Sequence, residues 1–334
     1  MGKMPAVDFD NLFLQFKDCK VLVIGDVMLD TYWWGKVERI SPEAPVPVVT
    51  LTSKDYRLGG AANVALNLTS LGAQVATFSV IGNDHDGKLL KTRFAQEGLE
   101  TSWLFESKER ITTNKSRIMS RNQQMLRLDA EITSDLNAHD EQLLLESFAA
   151  VVDDEKPHVV IFEDYNKGVL TRNVISSVIE ICRQRSMISA VDPKRQNFFS
   201  YEGVSIFKPN LKEVREALNL PSDKVDKGFL THVHNQLQQQ LHHDISLITL
   251  SEKGVFYHDQ TRSAIVPSHI RNISDVSGAG DTVIAVASLV YASTKDVVLM
   301  AEIANIAGGL VCEEVGTVAI NKKRLLQECK LLLR

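Results

Sequence analysis

Short apolar runs rich in β-branched residues alternate along the chain with longer segments of helical periodicity. The first run, Lys20 to Gly25, reads KVLVIG and is typical of a buried central strand. Helical segments follow at Ala62 to Leu71 and Gly87 to Glu97, and each is closed by a glycine. This alternation predicts an α/β fold in which a mostly parallel sheet has helices on both faces.

The same alternation continues through the middle of the chain. Further strands are predicted at 75–81, 158–162, 188–191, 204–208 and 246–250, helices at 171–185 and 211–218, and a hairpin at 254–267. The last long segment, Ala279 to Tyr291, is apolar almost all round, which predicts a buried helix.

Two regions, about 30–52 and 101–129, interrupt this pattern. The first carries Pro42, Pro45 and Pro47 among valines, and proline suits edge strands. We expect both regions to form short strands outside the main sheet, as a small β lid over a site or a dimer surface; irregular loops are the alternative. No repeat, low-complexity tract or linker divides the chain, so a single domain over residues 1–334 is expected.

Composition narrows the class of protein. The 334 residues are 44% hydrophobic and carry a net charge of −5, which argues against a generic polyanion-binding surface and hence against nucleic acid as a partner. The four cysteines form no CxxC pair, which argues against a zinc site or disulfide framework. Neither a signal peptide nor an apolar run of ~20 residues is present, so no membrane association and a cytoplasmic location are expected.

The candidate chemistry centres on Gly278-Ala279-Gly280-Asp281, which opens the predicted buried helix. Glycines permit close approach of another molecule, and the first N–H groups of a helix favour an anion. Asp281 in that first turn has two interpretations. It stabilises the helix N-terminus and does nothing else, or it is a general base beside an oxyanion hole.

Three motifs resemble those of the ribokinase-like (PfkB) sugar kinases. They are DVSGAGD at 275–281, RLGGAANVA at 57–65 and GNDHDG at 82–87, and they occur in the order that the family shows. The resemblance covers nearly the whole chain. It implies a three-layer α/β/α sandwich with a small lid, ATP and Mg²⁺ as cofactors, and Asp281 as the base, with Gly278, Ala279 and Gly280 stabilising the transferring phosphoryl group.

The resemblance also implies residues for ATP. Asn210 and Glu213 read locally as a helix capping box, but the family's N-x-x-E segment serves the phosphates and holds magnesium, often through water. The full set implied for ATP is Asn210, Leu211, Lys212, Glu213, Thr249, Ser251, Lys253, Gly254 and Asn305.

On the acceptor side, the family places a sugar against Gly59, Gly60 and Asn63. Asp30 follows the first strand's loop, where the family's aspartate binds sugar hydroxyls, and Asp26 is a second candidate.

Residues 25–35 and 39–48 are similar to the kinase part of the bacterial heptose enzymes, which make ADP-activated heptose for lipopolysaccharide. The implied reaction transfers phosphate from ATP to the anomeric hydroxyl of D-glycero-D-manno-heptose 7-phosphate. Such an acceptor needs a second anion pocket. Candidates are Lys194, which follows a predicted strand at the carboxyl edge, then Lys167, Arg195, Lys115, Arg117, Arg121 and Arg127.

Other readings remain at this point. Another sugar or sugar phosphate is a possible acceptor, and a catalytically inactive sugar sensor is a third class. A nicotinamide-dependent oxidoreductase is disfavoured because no G-x-G-x-x-G follows the first strand. We expect no nucleotidyltransferase domain, hence either a stand-alone kinase or a kinase half that cannot make ADP-heptose alone. We expect a homodimer through the lid, and leave a monovalent-cation requirement open.

Overall fold

Strands and helices alternate along the chain in the computed structural model, which describes residues 7–121, 123–220 and 225–333. The strands are β1 (Lys20–Gly25), β2 (Val27–Ile40), β3 (Pro47–Gly60), β4 (Gln74–Gly82), β5 (Leu104–Ser107), β6 (Asn114–Ser120), β7 (Gln123–Ala130), β8 (Val159–Glu163), β9 (Ile188–Asp192), β10 (Ile206–Phe207), β11 (Ile245–Thr249), β12 (Val255–His258) and β13 (Ser263–Val266). The helices are α1 (Phe9–Gln15), α2 (Ala61–Leu71), α3 (His85–Gln96), α4 (Ala138–Glu155), α5 (Arg172–Gln184), α6 (Leu211–Leu218), α7 (Lys227–Leu241), α8 (Ala279–Thr294), α9 (Val297–Val311) and α10 (Lys322–Leu332).

The main sheet has nine strands in the order β13-β12-β11-β10-β9-β8-β1-β4-β5. Neighbours from β5 to β11 pair in parallel, whereas β12 and β13 add an antiparallel hairpin at one edge. Every residue of β8 and β9 is buried, as central strands covered on both faces require.

Two hydrophobic layers enclose this sheet. One contains residues of α1, α2, α3, α8, α9 and α10, and the other contains residues of α4, α5, α6 and α7. Residues 283–290 of α8 are all buried, which agrees with the apolar sequence of that helix. The arrangement confirms the expected three-layer α/β/α sandwich. Within the described ranges, none of the helices combines the length and apolar character needed to cross a bilayer.

A separate sheet of four strands, called the small sheet below, has the order β3-β2-β6-β7. Strands β2 and β3 have 14 residues each and pair antiparallel from Val27 opposite Gly60 to Ile40 opposite Pro47. They are therefore long rather than short strands. Two of the three prolines lie in the loop between them, and the third begins β3, so no proline interrupts the ladder.

One part of the expectation for 101–129 is wrong, because β5 belongs to the main sheet. It pairs in parallel with β4, Ser79 standing opposite Leu104. Leu104 packs into one hydrophobic layer and Phe105 against the other, so this segment has apolar residues on both faces, like the strands beside it. The ends of the predicted domain, residues 1–6 and 334, lie outside the described residues.

Polar side chains collect where the parallel strands end. Glu163 is the last residue of β8 and Asp192 the last of β9. Strand β2 of the small sheet starts two residues after the end of β1, at the same edge. Because ligands of open α/β sheets bind beyond the carboxyl ends of the strands, this edge is the place to look for a site.

Candidate active site

Asp281 lies in the first turn of α8 and is only 2% exposed. Its carboxylate accepts two hydrogen bonds of 2.8 Å, from Asn63 Nδ2 and from the Tyr165 hydroxyl. Burial raises the pKa of Asp281, and the two hydrogen bonds oppose that rise. The result is a fixed carboxylate that is more basic than an exposed aspartate, as a general base requires.

Gly278 precedes this helix in the left-handed conformation, with φ +77°. A side chain there would place its Cβ 2.7 Å from Asn63 Nδ2, the donor that holds Asp281. Ala279 begins the helix, and a Cβ on Gly280 would lie 3.3 Å from Asp192 Oδ2. The glycines thus let the helix start close to Asn63 and Asp192, with its first N–H groups free of intrahelical partners.

Glu163 and Asp192 complete a buried group of carboxylates with Asp281. One oxygen of each lies within 4.8 Å of the other two. Asp192 pairs with Lys208 Nζ at 2.8 Å and with Lys194 Nζ at 3.2 Å. Burial raises the pKa of Asp192, but these two lysines outweigh burial and keep that pKa below its ordinary value. The group consists of oxygen donors, as magnesium prefers, but Asp192 is already neutralised by two lysines.

Glu163 has a different environment from Asp192. It is fully buried, and neither of its carboxylate oxygens has a hydrogen-bond partner among the described residues. Burial, followed by the charges of Asp192 and Asp281, raises the pKa of Glu163 well above its usual range. Glu163 therefore favours its neutral, protonated form next to the base.

The acceptor-side residues meet where β2, β3 and α2 adjoin. Gly59 approaches Asp30 so closely that a Cβ would lie 2.5 Å from Asp30 Oδ2. Asp30 is 3% exposed, and its other oxygen pairs with Arg117 Nη1 at 2.6 Å. Gly60, with φ +60°, ends β3, and Asn63 follows one turn into α2. The structure brings these predicted acceptor residues together beside Asp281.

The loop after β8 adds Tyr165 and Lys167 to this group. Lys167 Nζ pairs with Glu131 at 2.9 Å. Lys115 Nζ lies 4.6 Å from the centre of the Tyr165 ring, and the structure shows no carboxylate within 4.0 Å of it among the described residues. Burial lowers the pKa of Lys115, the charge of Asp30 opposes this decrease, and the charges of Lys167 and Arg117 add to it.

On the nucleotide side, Asn210 and Glu213 form the capping box that their spacing predicts. Asn210 Oδ1 accepts from Glu213 N at 2.9 Å and Glu213 Oε2 from Asn210 N at 2.8 Å. The second oxygen of Glu213 pairs with Lys194 Nζ at 3.0 Å. Lys194 therefore joins this segment to Asp192 instead of standing alone as a free cation.

The remaining residues predicted to bind ATP lie on α6, β11 and α9 and in the turn after β11. Leu211 begins α6, whereas the Lys212 side chain is 84% exposed and lies 3.8 Å from Glu216. Thr249 ends β11 and bridges to Asn210, and Ser251 and Lys253 lie in an exposed turn that Gly254 closes. Asn305, on α9, donates to the Pro267 carbonyl at 2.8 Å. The Lys212 and Lys253 side chains are thus both at the surface.

Four residues of the site were not among those singled out from the sequence: Tyr165, Glu163, Asp192 and Lys208. Tyr165 hydrogen-bonds to Asp281, Glu163 lies beside it, and Lys208 is a buried lysine paired with Asp192. The available signal was position: Glu163 and Lys208 directly end or follow predicted strands, where parallel sheets place functional side chains.

Comparison with known proteins identifies the class to which this site belongs. A family model described as pfkB family carbohydrate kinase matches residues 18–324. The chain belongs to that family, and it is an ATP-dependent sugar kinase. The sequence resemblance is thereby confirmed, and the alternative of a nicotinamide-dependent oxidoreductase is set aside.

Relatives with similar sequences carry the name bifunctional protein HldE. The relative from Geotalea uraniireducens is 38% identical over 326 residues, which are 97% of this chain and 66% of that protein. Those from Helicobacter hepaticus and Methylobacillus flagellatus are 39% and 41% identical and are covered over 64% and 62% of their length, against 94% and 92% of this chain. The chain thus spans less than two thirds of the length of these relatives.

Solved structures agree with the fold. Phosphofructokinase-2 from Escherichia coli in complex with potassium superposes with a TM-score of 0.78 at 16% identity, covering 95% of this chain and 99% of that one. Ribokinase from Arabidopsis thaliana, complexed with ribose and ATP, superposes with a TM-score of 0.72 at 14% identity, covering 92% of this chain and 99% of that one. At such identities the likeness concerns the fold alone.

Proposed function

We propose that this sugar kinase transfers the γ-phosphate of ATP to the anomeric hydroxyl of D-glycero-D-manno-heptose 7-phosphate, giving the 1,7-bisphosphate for the synthesis of ADP-heptose and lipopolysaccharide core. Residues 25–48 resemble the kinase part of the bacterial heptose enzymes, and the relatives named HldE support the same assignment. The observation that carries the proposal is Lys115, a half-buried cation next to the acceptor residues, for which the described part of the chain offers no carboxylate within 4.0 Å.

Asp281 accepts the proton of the attacking hydroxyl in this proposal. Its two hydrogen bonds hold the carboxylate in one orientation, and the N–H groups at the start of α8 stabilise the charge of the transferring phosphoryl group. Asp30 accepts from sugar hydroxyls, and the glycines at 59 and 60 let the ring approach the backbone. These are positioning and charge effects, which dominate phosphoryl transfer.

ATP and Mg²⁺ fit the oxygen donors of the nucleotide side. The capping box occupies one oxygen of Asn210 and one of Glu213, and the second oxygen of Glu213 remains within reach of Lys194. Magnesium usually keeps several waters, so Asn210 and Glu213 would hold it through water rather than directly. A bound magnesium ion would supply neutralisation of phosphate charge at this position.

The second phosphate of the acceptor needs cations away from the nucleotide. We assign it to Lys115 together with Lys167 and Arg117, because charges of the same sign lie near one another there. Arg117 already pairs with Asp30, and Lys167 with Glu131, whereas Lys115 is the one of these three cations without an ion pair among the described residues. Lys194, the first choice from the sequence, is a weaker candidate because it bridges Asp192 and Glu213.

A coupled assay of ADP release tests this function. Heptose 7-phosphate is compared with mannose and sedoheptulose phosphates and with free ribose and fructose, each with and without potassium because a solved relative is described in complex with that ion. We expect the highest kcat/KM with heptose 7-phosphate. Turnover of ribose or fructose without turnover of heptose 7-phosphate would reject the heptose assignment and leave a kinase for another sugar.

We also propose a homodimer that associates through the small sheet. Large apolar side chains are exposed along this sheet and its connecting loop: Ile40, Val46, Leu51, Met125, Leu126 and Leu128. Concentrated exposed apolar residues of this kind mark protein–protein contacts.

A further inference from the structure

Among the residues that the structure describes, Tyr165 is the one whose hydroxyl donates to the proposed base. The phenol donates to Asp281 Oδ1 at 2.8 Å, while Asn63 donates to Oδ2. An ionised carboxylate accepts about four hydrogen bonds, so each oxygen keeps a lone pair for a substrate hydroxyl. Tyr165 and a bound acceptor therefore do not compete for the same electron pair.

The loop that carries Tyr165 is held at several points. The buried carboxylate of Asp26 accepts from the backbone N–H groups of Tyr165, Lys167 and Val169 at 2.8, 3.0 and 3.1 Å. Asp164 accepts from the N–H of Asn166 at 2.8 Å. With its backbone fixed in this way, the phenol reaches Asp281 from a preset direction and needs no reorganisation when the substrate binds.

The ring of Tyr165 also connects the two sides of the site. Lys115 Nζ lies 4.6 Å from the ring centre and Lys194 Nζ lies 5.2 Å from it. Lys115 belongs to the small sheet, and Lys194 is tied to Glu213 on the nucleotide side. A phenylalanine ring would keep both cation–π contacts, so the hydroxyl has a separate role.

We propose that Tyr165 is a positioning residue for the phosphoryl transfer, whose hydroxyl orients Asp281 and stabilises its ionised form. This inference rests on the part of the proposed function in which Asp281 is the base. The charged groups that face Asp281 are Asp192 and Lys194, with Glu163 beside them, and loss of the Tyr165 hydroxyl leaves all three in place. A hydrogen bond to an ionised carboxylate favours that form, so Tyr165 extends the activity of the enzyme to lower pH.

Tyr165→Phe tests the role of the hydroxyl. We expect kcat/KM near pH 6 to fall about ten- to a hundredfold, the KM for ATP to change less than about twofold, and the acidic limb of the kcat/KM profile to move up by about one to two pH units. Tyr291→Phe is the matched control, because it lies on the same helix as Asp281 but ten residues later, about 15 Å along the axis. Its profile should equal that of the wild type.

An acidic limb that stays in place in Tyr165→Phe overturns the proposal, even if the rate falls at all pH values. If Tyr165→Phe fails to fold, 3-fluorotyrosine at position 165 replaces that variant.

The phenol of 3-fluorotyrosine is more acidic than that of tyrosine and is a stronger hydrogen-bond donor. It should therefore move the acidic limb of the kcat/KM profile to lower pH, and an unchanged limb again overturns the proposal. The assay uses any acceptor that the wild type phosphorylates, so a failure of the heptose assignment does not affect it. Near-normal turnover by Asp281→Asn would reject both the assignment of Asp281 as the base and the positioning role of Tyr165.

Discussion

Asp281 and Glu163 show how neighbouring carboxylates acquire different properties from their contacts. Asp281 has two donors at 2.8 Å, whereas both oxygens of Glu163 lack partners among the described residues. Hydrogen bonds favour the ionised form, and burial without them favours the neutral form. One carboxylate is thus prepared to take a proton while its neighbour keeps one.

Glu163→Gln should stabilise the protein at alkaline pH. The pKa of Glu163 is raised in the folded state, so the unfolded state releases this proton at a lower pH than the folded state does. The free energy of unfolding of the wild type therefore falls by up to about 1.4 kcal/mol per pH unit above pH ~4.5. Glutamine does not titrate, so its advantage in the free energy of unfolding should be larger at pH 8 than at pH 5.5 in urea denaturation.

Glu146→Gln, at an exposed position of α4, is the control for this series. Its free energy of unfolding should change with pH as that of the wild type does. A Glu163→Gln protein that is less stable than the wild type at pH 8 would show that Glu163 acts in its charged form.

At the scale of elements, α7, β11 and β12 are joined by polar groups inside the sandwich. The Ser246 hydroxyl contacts His234 Nδ1 at 2.8 Å and His243 Nε2 at 2.7 Å, and the His234 ring stacks on His258 with centres 3.7 Å apart. Burial lowers the pKa of His234 to about 4 and that of His243 to about 3. These elements therefore pack around neutral imidazoles.

We expect this packing to make the fold acid-sensitive. Below pH ~6.5 the unfolded histidines bind protons and the folded ones do not, so the free energy of unfolding falls by about 1.4 kcal/mol per pH unit for each histidine until pH approaches 4. Urea denaturation between pH 7 and pH 4.5 measures the slope.

His243→Gln should give a flatter slope than the wild type, and His232→Gln, an exposed residue on α7, should leave the slope unchanged. Equal slopes for all three proteins would contradict the role of the buried histidines.

At the scale of the whole molecule, the small sheet is hydrogen-bonded separately from the main sheet and carries a disproportionate share of the exposed apolar side chains. Leu126 and Leu128 are two residues apart in β7 and therefore lie on the same face of that strand, where they are 52% and 55% exposed. That face is available to a second copy of the chain.

Leu128→Glu should shift the protein from dimer to monomer in sedimentation velocity, because a buried charge would oppose association. Leu331→Glu, at a 65% exposed position on α10, is the matched control and should remain dimeric. A wild type that is monomeric at assay concentrations would reject the dimer.

Local patterns predicted the sandwich because its central strands are buried at every residue and mostly apolar, and because α8 is mostly apolar over its buried residues 283–290. The placement of β5 was missed: its four residues do not reveal which sheet they join, since that depends on both faces being covered by distant elements. The capping box was readable from spacing alone, because both partners lie within one helical turn.

Long-range polar contacts were harder to predict. Tyr165 and Asp281 are 116 residues apart, and no local pattern says that a tyrosine in a loop will reach a carboxylate on a distant helix. Likewise, the sequence predicted Lys194 to be available to a bound anion. The fold shows that Lys194 forms ion pairs with both Asp192 and Glu213.

The most direct test of the account is the turnover of Asp281→Asn with ATP and the preferred acceptor. Asparagine keeps the shape of the side chain but cannot take the proton, so kcat should fall by roughly two orders of magnitude or more while the affinity for ATP stays near that of the wild type. Asp154→Asn, an exposed residue of α4, controls for the loss of a charge. Near-normal turnover by Asp281→Asn would show that this buried aspartate is not the catalytic base.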